Sequence, residues 1–201
     1  MFFRQCRIII LALVLLSITP IYLTAHPHVF IENTLTFVFD EKGFKGIEQR
    51  WVFDEMFSSG IIFDYDTGAN GCFEPNEIAV IRKEVFSNLK KYGYFSLITI
   101  DRKSFEIAYI SEFTASIENG VLVYTFFIPC HVTASSMPKE IRISIFDESY
   151  YTDIKTLPDR VKVQNPEGIR YELKHVKDDT ISFYYDQFHP DCQIIRFWKK
   201  S

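Results

Sequence analysis

From Val29 to Trp198 the chain is written in short runs of period two, broken once, between Asp54 and Tyr92, by apolar residues at helical spacing. Successive strand residues point to opposite faces, whereas helical neighbours recur every three or four positions, so the change of period marks a change of element. Val29 to Phe39 and Phe44 to Phe53 flank Asp40-Glu41-Lys42-Gly43, which predicts a hairpin. Two helices follow, over Asp54 to Phe63 and Pro75 to Tyr92, the second on the spacing of Ile78, Ile81, Val85 and Leu89. Beyond Gly93, strands are predicted over Leu97 to Ile100, Phe105 to Ile110, Val121 to Val132 and Ile141 to Phe146, with Asn119-Gly120 as a tight turn. Further strands are predicted around Val161, Tyr171, Ile181 to Tyr185 and Ile194 to Trp198. The expected class is α+β: a mostly antiparallel β-sandwich-like body with an EF-hand-like helix-loop-helix inserted at about 54–92.

The first residues are of another kind. Arg4 and Arg7 precede an uncharged apolar run from Ile8 to Ile18, followed by Pro20 and Thr24-Ala25, the order of a secretory signal peptide. The run has 11 residues, where a bilayer-crossing helix needs about 20. Residues 1–25 are therefore expected to be removed after Ala25, leaving 26–201 as a single periplasmic domain with no stable membrane span. Losing two of the 22 basic residues against 26 acidic ones leaves a net charge of about −6, which argues against nucleic acid as a partner. Cys6 leaves with the leader, and of Cys72, Cys130 and Cys192 the last two, both in strand-like surroundings, are expected to form a disulfide.

Asp66 to Glu77 fits a twelve-residue calcium loop with Asp66 as position one. Such a loop needs oxygen ligands at one, three, five, nine and twelve, a backbone carbonyl at seven and a glycine at six. Asp66, Asn70, Glu74 and Glu77 fall at one, five, nine and twelve, Cys72 supplies the carbonyl at seven, and Gly71 stands at six. Gly68 at position three removes one side-chain ligand, so a bound Ca2+ would need water there. Starting the loop at Asp64 instead puts Pro75 at the bidentate position, and that register fails.

Cleavage after Ala25 would expose an α-amine on His26, two residues from His28. An amine and two imidazoles suit a transition metal such as Ni2+, Co2+, Zn2+ or Cu2+ better than calcium. Pro27 has no amide hydrogen, so coordination runs through the amine and side chains. Asp54, Glu55, His131, His175 or His189 could supply a third ligand, and the sequence does not choose among them. His189 and Cys192 are three apart but lack a second pair at zinc-site spacing. No nucleophile elbow, phosphate loop or dinucleotide fingerprint is present, and no catalytic residue is assigned.

Five stretches occur in a fixed order: His26-Pro27-His28-Val29-Phe30-Ile31, Trp51-Val52-Phe53-Asp54-Glu55-Met56-Phe57-Ser58, the calcium-like loop, Tyr92-Gly93-Tyr94-Phe95, and Ile145-Phe146-Asp147-Glu148-Ser149-Tyr150-Tyr151. Together they resemble an uncharacterised bacterial family labelled as the periplasmic component of an unassigned ABC-type transport system. Members are often encoded beside nickel/cobalt-type permeases, so the resemblance implies a role in metal transport with a membrane transporter or permease as partner. It also implies an acid at loop position three, from which Gly68 departs. Three readings follow: a metal-binding accessory with a structural calcium loop, a calcium-stabilised interaction module, and a copper oxidoreductase.

Overall fold

The computed structural model describes residues 27–200. Strands β1 (Val29–Asp40) and β2 (Gly43–Phe53) form the expected hairpin. Asp40 closes it by accepting the N–H groups of Lys42 and Gly43 at 2.8 and 3.1 Å. Gly43 is required there: its φ is +143°, and an added Cβ would lie 2.4 Å from the amide nitrogen of Ala134. Strands β5 (Ser111–Glu118) and β6 (Val121–Thr133) extend the hairpin on the β2 side. On the other edge, β8 (Thr152–Lys155) and β9 (Val161–Gln164) both pair with β1, in parallel. The second sheet is antiparallel, in the order β10 (Ile169–Lys177), β11 (Asp191–Lys199), β7 (Lys139–Ile145), β3 (Ser96–Ile100), β4 (Lys103–Phe105).

The sheets share one apolar core. Phe39 and Phe44 of the first meet Phe197 of the second at 5.2 and 5.7 Å between ring centres. Near the end of β2, Trp51 is fully buried, and its indole N–H donates to Oε1 of equally buried Gln49 at 2.9 Å. Gln49 in turn donates to Ser96 Oγ of β3 at 2.8 Å. A polar pair thus crosses the core with each of these groups satisfied, as burial demands. The solvent face of the second sheet carries an ion-pair row, Glu172, Arg196, Glu140, Arg142 and Asp178, a solvated surface of small energetic weight.

The helical insertion packs against β5 and β6 of the first sheet. Helix α1 (Glu55–Tyr65) starts at Asp54, whose Oδ1 accepts the Phe57 N–H as an N-cap and whose Oδ2 accepts the Phe30 N–H of β1. Ser58 is buried and its Oγ accepts the Leu122 N–H of β6 at 2.9 Å, pinning helix to sheet. Ser58→Ala would strand that buried N–H and is expected to lower stability by about 1–3 kcal/mol, measured by urea unfolding. Helix α2 (Pro75–Glu84) begins on a proline at its first position, where the missing N–H costs nothing.

The α+β class and the two-sheet body agree with the sequence reading, and three local expectations need correction. The second helix stops at Glu84 and continues as a 3-10 segment, Phe86–Phe95, with Tyr92, Gly93 and Tyr94 out of helical geometry. Side chains take the turn's carbonyls there: Ser87 Oγ donates to Lys83 O and Asn88 Nδ2 to Glu84 O. Residues 106–110 are irregular, since β4 ends at Phe105. Ile181 to Tyr185 forms no strand; Phe183 makes one isolated bridge to Phe188, and their rings pack with Tyr150 in a small aromatic satellite.

Candidate functional site

Three features of the insertion side carry possible chemistry. The first is the loop between α1 and α2. Asp66 caps the end of α1 and accepts the N–H groups of Asn70 and Gly71 at 3.2 and 3.0 Å. Gly71 holds φ +79°, the left-handed conformation that position six demands. At the other end Glu77 is buried and its carboxylate reaches back over the loop, accepting the Thr67 hydroxyl at 2.6 Å, the Thr67 N–H at 2.8 Å and the Glu74 N–H at 2.9 Å. The Thr67 hydroxyl first, then the Glu74 N–H, hold its carboxyl below the ordinary carboxylate range against the opposing effect of burial. Phe73, at position eight, is buried in the core and anchors the loop. Asn70 Oδ1 accepts the Cys72 N–H while its amide donates to Glu74.

The loop turns at Gly71, and the side chains at one, five, nine and twelve carry oxygens, the atom type that a hard cation prefers. Each carboxylate is turned onto N–H or O–H donors, and among the described residues no three His, Cys, Asp or Glu side chains converge at metal-ligating range. An added Cβ at Gly68 would meet only the Asn70 side chain, at 3.4 Å, so nothing in the packing forces glycine at position three.

The second feature is the start of the described chain. His26 lies outside the described residues. His28 donates its backbone N–H to the Tyr151 carbonyl at 2.9 Å, and its ring stands 5.0 Å from the Tyr151 ring. Of the five residues considered as third ligands, Asp54 bonds into the same strand, through the Phe30 N–H. His175 instead meets Gln193 and Asp191 on the second sheet, His189 contacts the Ile181 carbonyl, and His131 is exposed on β6 with φ +52°. The sequence expectation of a Cys130–Cys192 disulfide is corrected: both thiols are free, Cys130 on β6 of the first sheet facing the Ile128 carbonyl and Cys192 on β11 of the second facing the Gln193 carbonyl. Burial raises both thiols, Cys130 to about 12, which keeps them protonated at neutral pH.

The third feature was not read from the sequence. A cavity of about 360 Å³ opens between the start of β1, the end of β2, the 3-10 segment and the loop after β7. Its walls are largely aromatic, from buried Trp51 and Phe53 at the base to half-exposed Tyr92 and Tyr151 at the mouth. Asp147 also lines it, buried, accepting Ser149 N–H, Ser149 Oγ–H and Thr152 N–H at 2.9, 2.7 and 3.0 Å. Tyr124 contributes a ring to the wall, and its buried hydroxyl has no hydrogen-bond partner among the described residues. Burial raises that phenol well above its ordinary range. The sequence signal for Asp147 was its place in the Ile145 to Tyr151 stretch, which carried resemblance but no chemistry.

Comparison with known proteins gives one family: a family model described as "Protein of unknown function (DUF1007)" matches residues 10–187. A protein of Spirochaeta aurantia, described as an uncharacterized 15.5 kDa protein in the trpE 3' region, is 27% identical over 144 residues, 70% of this chain and 100% of its own length. An uncharacterized protein of Haemophilus influenzae is 24% identical over 130 residues, 63% of this chain, and the match spans 61% of its length.

Proposed function

The chain belongs to the DUF1007 family of unknown function, and on that premise we propose that it is an exported, periplasmic metal-binding accessory of a transition-metal transport system, braced by a calcium loop. The observation that supports the calcium brace is the turn of the Asp66 to Glu77 loop, in which the Asp66 and Glu77 carboxylates both fold back onto N–H groups of the loop. Calcium would draw on Asp66, Asn70, Glu74, Glu77 and the Cys72 carbonyl, and would stiffen the insertion rather than act as a switch. Cleavage after Ala25 would place His26 and His28 at a chain end that the Tyr151 carbonyl holds against the first sheet. That end would offer the amine and two imidazoles to Ni2+, Co2+, Zn2+ or Cu2+ for passage to a membrane permease.

Equilibrium dialysis of protein with its native exported terminus tests the transition-metal part. One ion per chain is expected, lost when His26 and His28 are both replaced by Ala. No uptake, or a first residue other than His26 by mass spectrometry, would remove it. A second reading, a calcium-stabilised interaction module, is favoured by the outer face of α1, where Met56 and Phe63 are exposed. On that reading, capture of a membrane partner survives His26→Ala with His28→Ala and is lost with Met56→Ser and Phe63→Ser.

A further inference from the structure

We infer that the cavity beside β1 is a binding site for a small organic cation, an alkylammonium with an apolar body. Aromatic rings line it: Tyr92 and Tyr151, half-exposed at the mouth, and Phe57 and Phe95 further in, backed by the buried rings of Trp51 and Phe53. Ring faces attract weakly hydrated cations, and an aromatic cage is the usual means of holding a quaternary ammonium. The same cavity contains a charge of the right sign. Asp147 is buried and, among the described residues, meets no Lys, Arg or His; its three hydrogen bonds come from neutral donors in its own loop. A buried carboxylate without a counter-ion is electrostatically incomplete, and an incoming cation completes it.

The chemistry also selects against the alternatives. Ca2+ or Mg2+ needs several oxygen ligands, and this cavity provides one carboxylate among rings. An anion would meet the Asp147 charge. A neutral apolar molecule would fit the walls but gain nothing from Asp147. A volume of about 360 Å³ falls at the small end of ligand pockets, which limits the occupant to a compact molecule. The inference rests on neither the calcium loop nor the terminal histidines.

The test is a titration of the mature chain with choline and, separately, with 3,3-dimethylbutan-1-ol, its neutral isostere, read by calorimetry. Choline is expected to saturate one site per chain and to bind at least about tenfold more tightly than the neutral alcohol. Asp147→Asn should remove most of that preference, and Tyr92→Ala, at the exposed mouth, should weaken choline binding without touching the core. The second variant keeps the test decisive if the first fails to fold. No saturable choline binding, or equal affinity for the two probes, overturns the inference.

Discussion

Trp51→Ala is expected to destabilise the protein by about 3–5 kcal/mol, the range for deleting a fully buried large aromatic side chain. Trp51 has no exposed surface and meets Phe126 edge-on at 4.9 Å, Phe95 in a stacked arrangement at 6.1 Å and Phe53 at 6.3 Å. Truncation would empty the floor of the aromatic wall and orphan Gln49 Oε1, which accepts the indole N–H. Trp51→Phe separates the two effects. It keeps a ring but removes the donor, so its cost should fall to about 1–3 kcal/mol, the penalty for a buried polar atom without a partner. Urea unfolding monitored by far-ultraviolet circular dichroism gives both values; a cost below about 1 kcal/mol for the alanine variant would contradict the packing described.

Calcium is expected to raise the melting temperature, and Glu77→Gln to abolish the rise. At a free concentration of one hundred times the dissociation constant, one bound ion stabilises the folded state by about 2.7 kcal/mol, or about 5–10 °C for a chain of this size. The affinity should lie near about 10⁻⁴ to 10⁻³ M, because Gly68 leaves position three without a side-chain oxygen. Gly68→Asp should tighten binding, since a Cβ there meets nothing but the Asn70 side chain. Glu77→Gln also weakens the bonds to Thr67 and Glu74, so the informative quantity is the calcium-dependent shift and not the melting temperature alone. The same carboxylate sets an acid dependence. Its pKa is lowered in the folded state, so its stabilising effect is complete above the unfolded-state pKa and is lost as pH falls through the depressed folded value. A chelator without effect on melting at neutral pH would count against the calcium brace.

The loop and the hairpin were legible because their signals are local. Asp66, Gly71 and Glu77 fall within twelve residues, and the bonds that shape the turn run between neighbours in that window. Residues 43 and 46 show where locality ends. Gly43 was read as a turn glycine, but the close approach of Ala134 that makes glycine obligatory there comes from the far side of the chain. Gly46 likewise sits in the irregularity between β2 and β6, where an added Cβ would lie 2.3 Å from the Ile128 carbonyl. The expected Cys130–Cys192 bridge failed for the same reason: similar strand surroundings say nothing about which sheet each strand joins.

Sequence alone determined the change of period after β2, the α+β class and the acidic turn between two helices, because each depends on side-chain spacing along a continuous segment. Only the tertiary structure decided that β8 and β9 run parallel to β1, that Phe39 meets Phe197, and that Asp147 stands buried among rings contributed by residues 51 to 95. Burial and pairing across such separations are set by how the sheets pack, and no window along the chain contains that information.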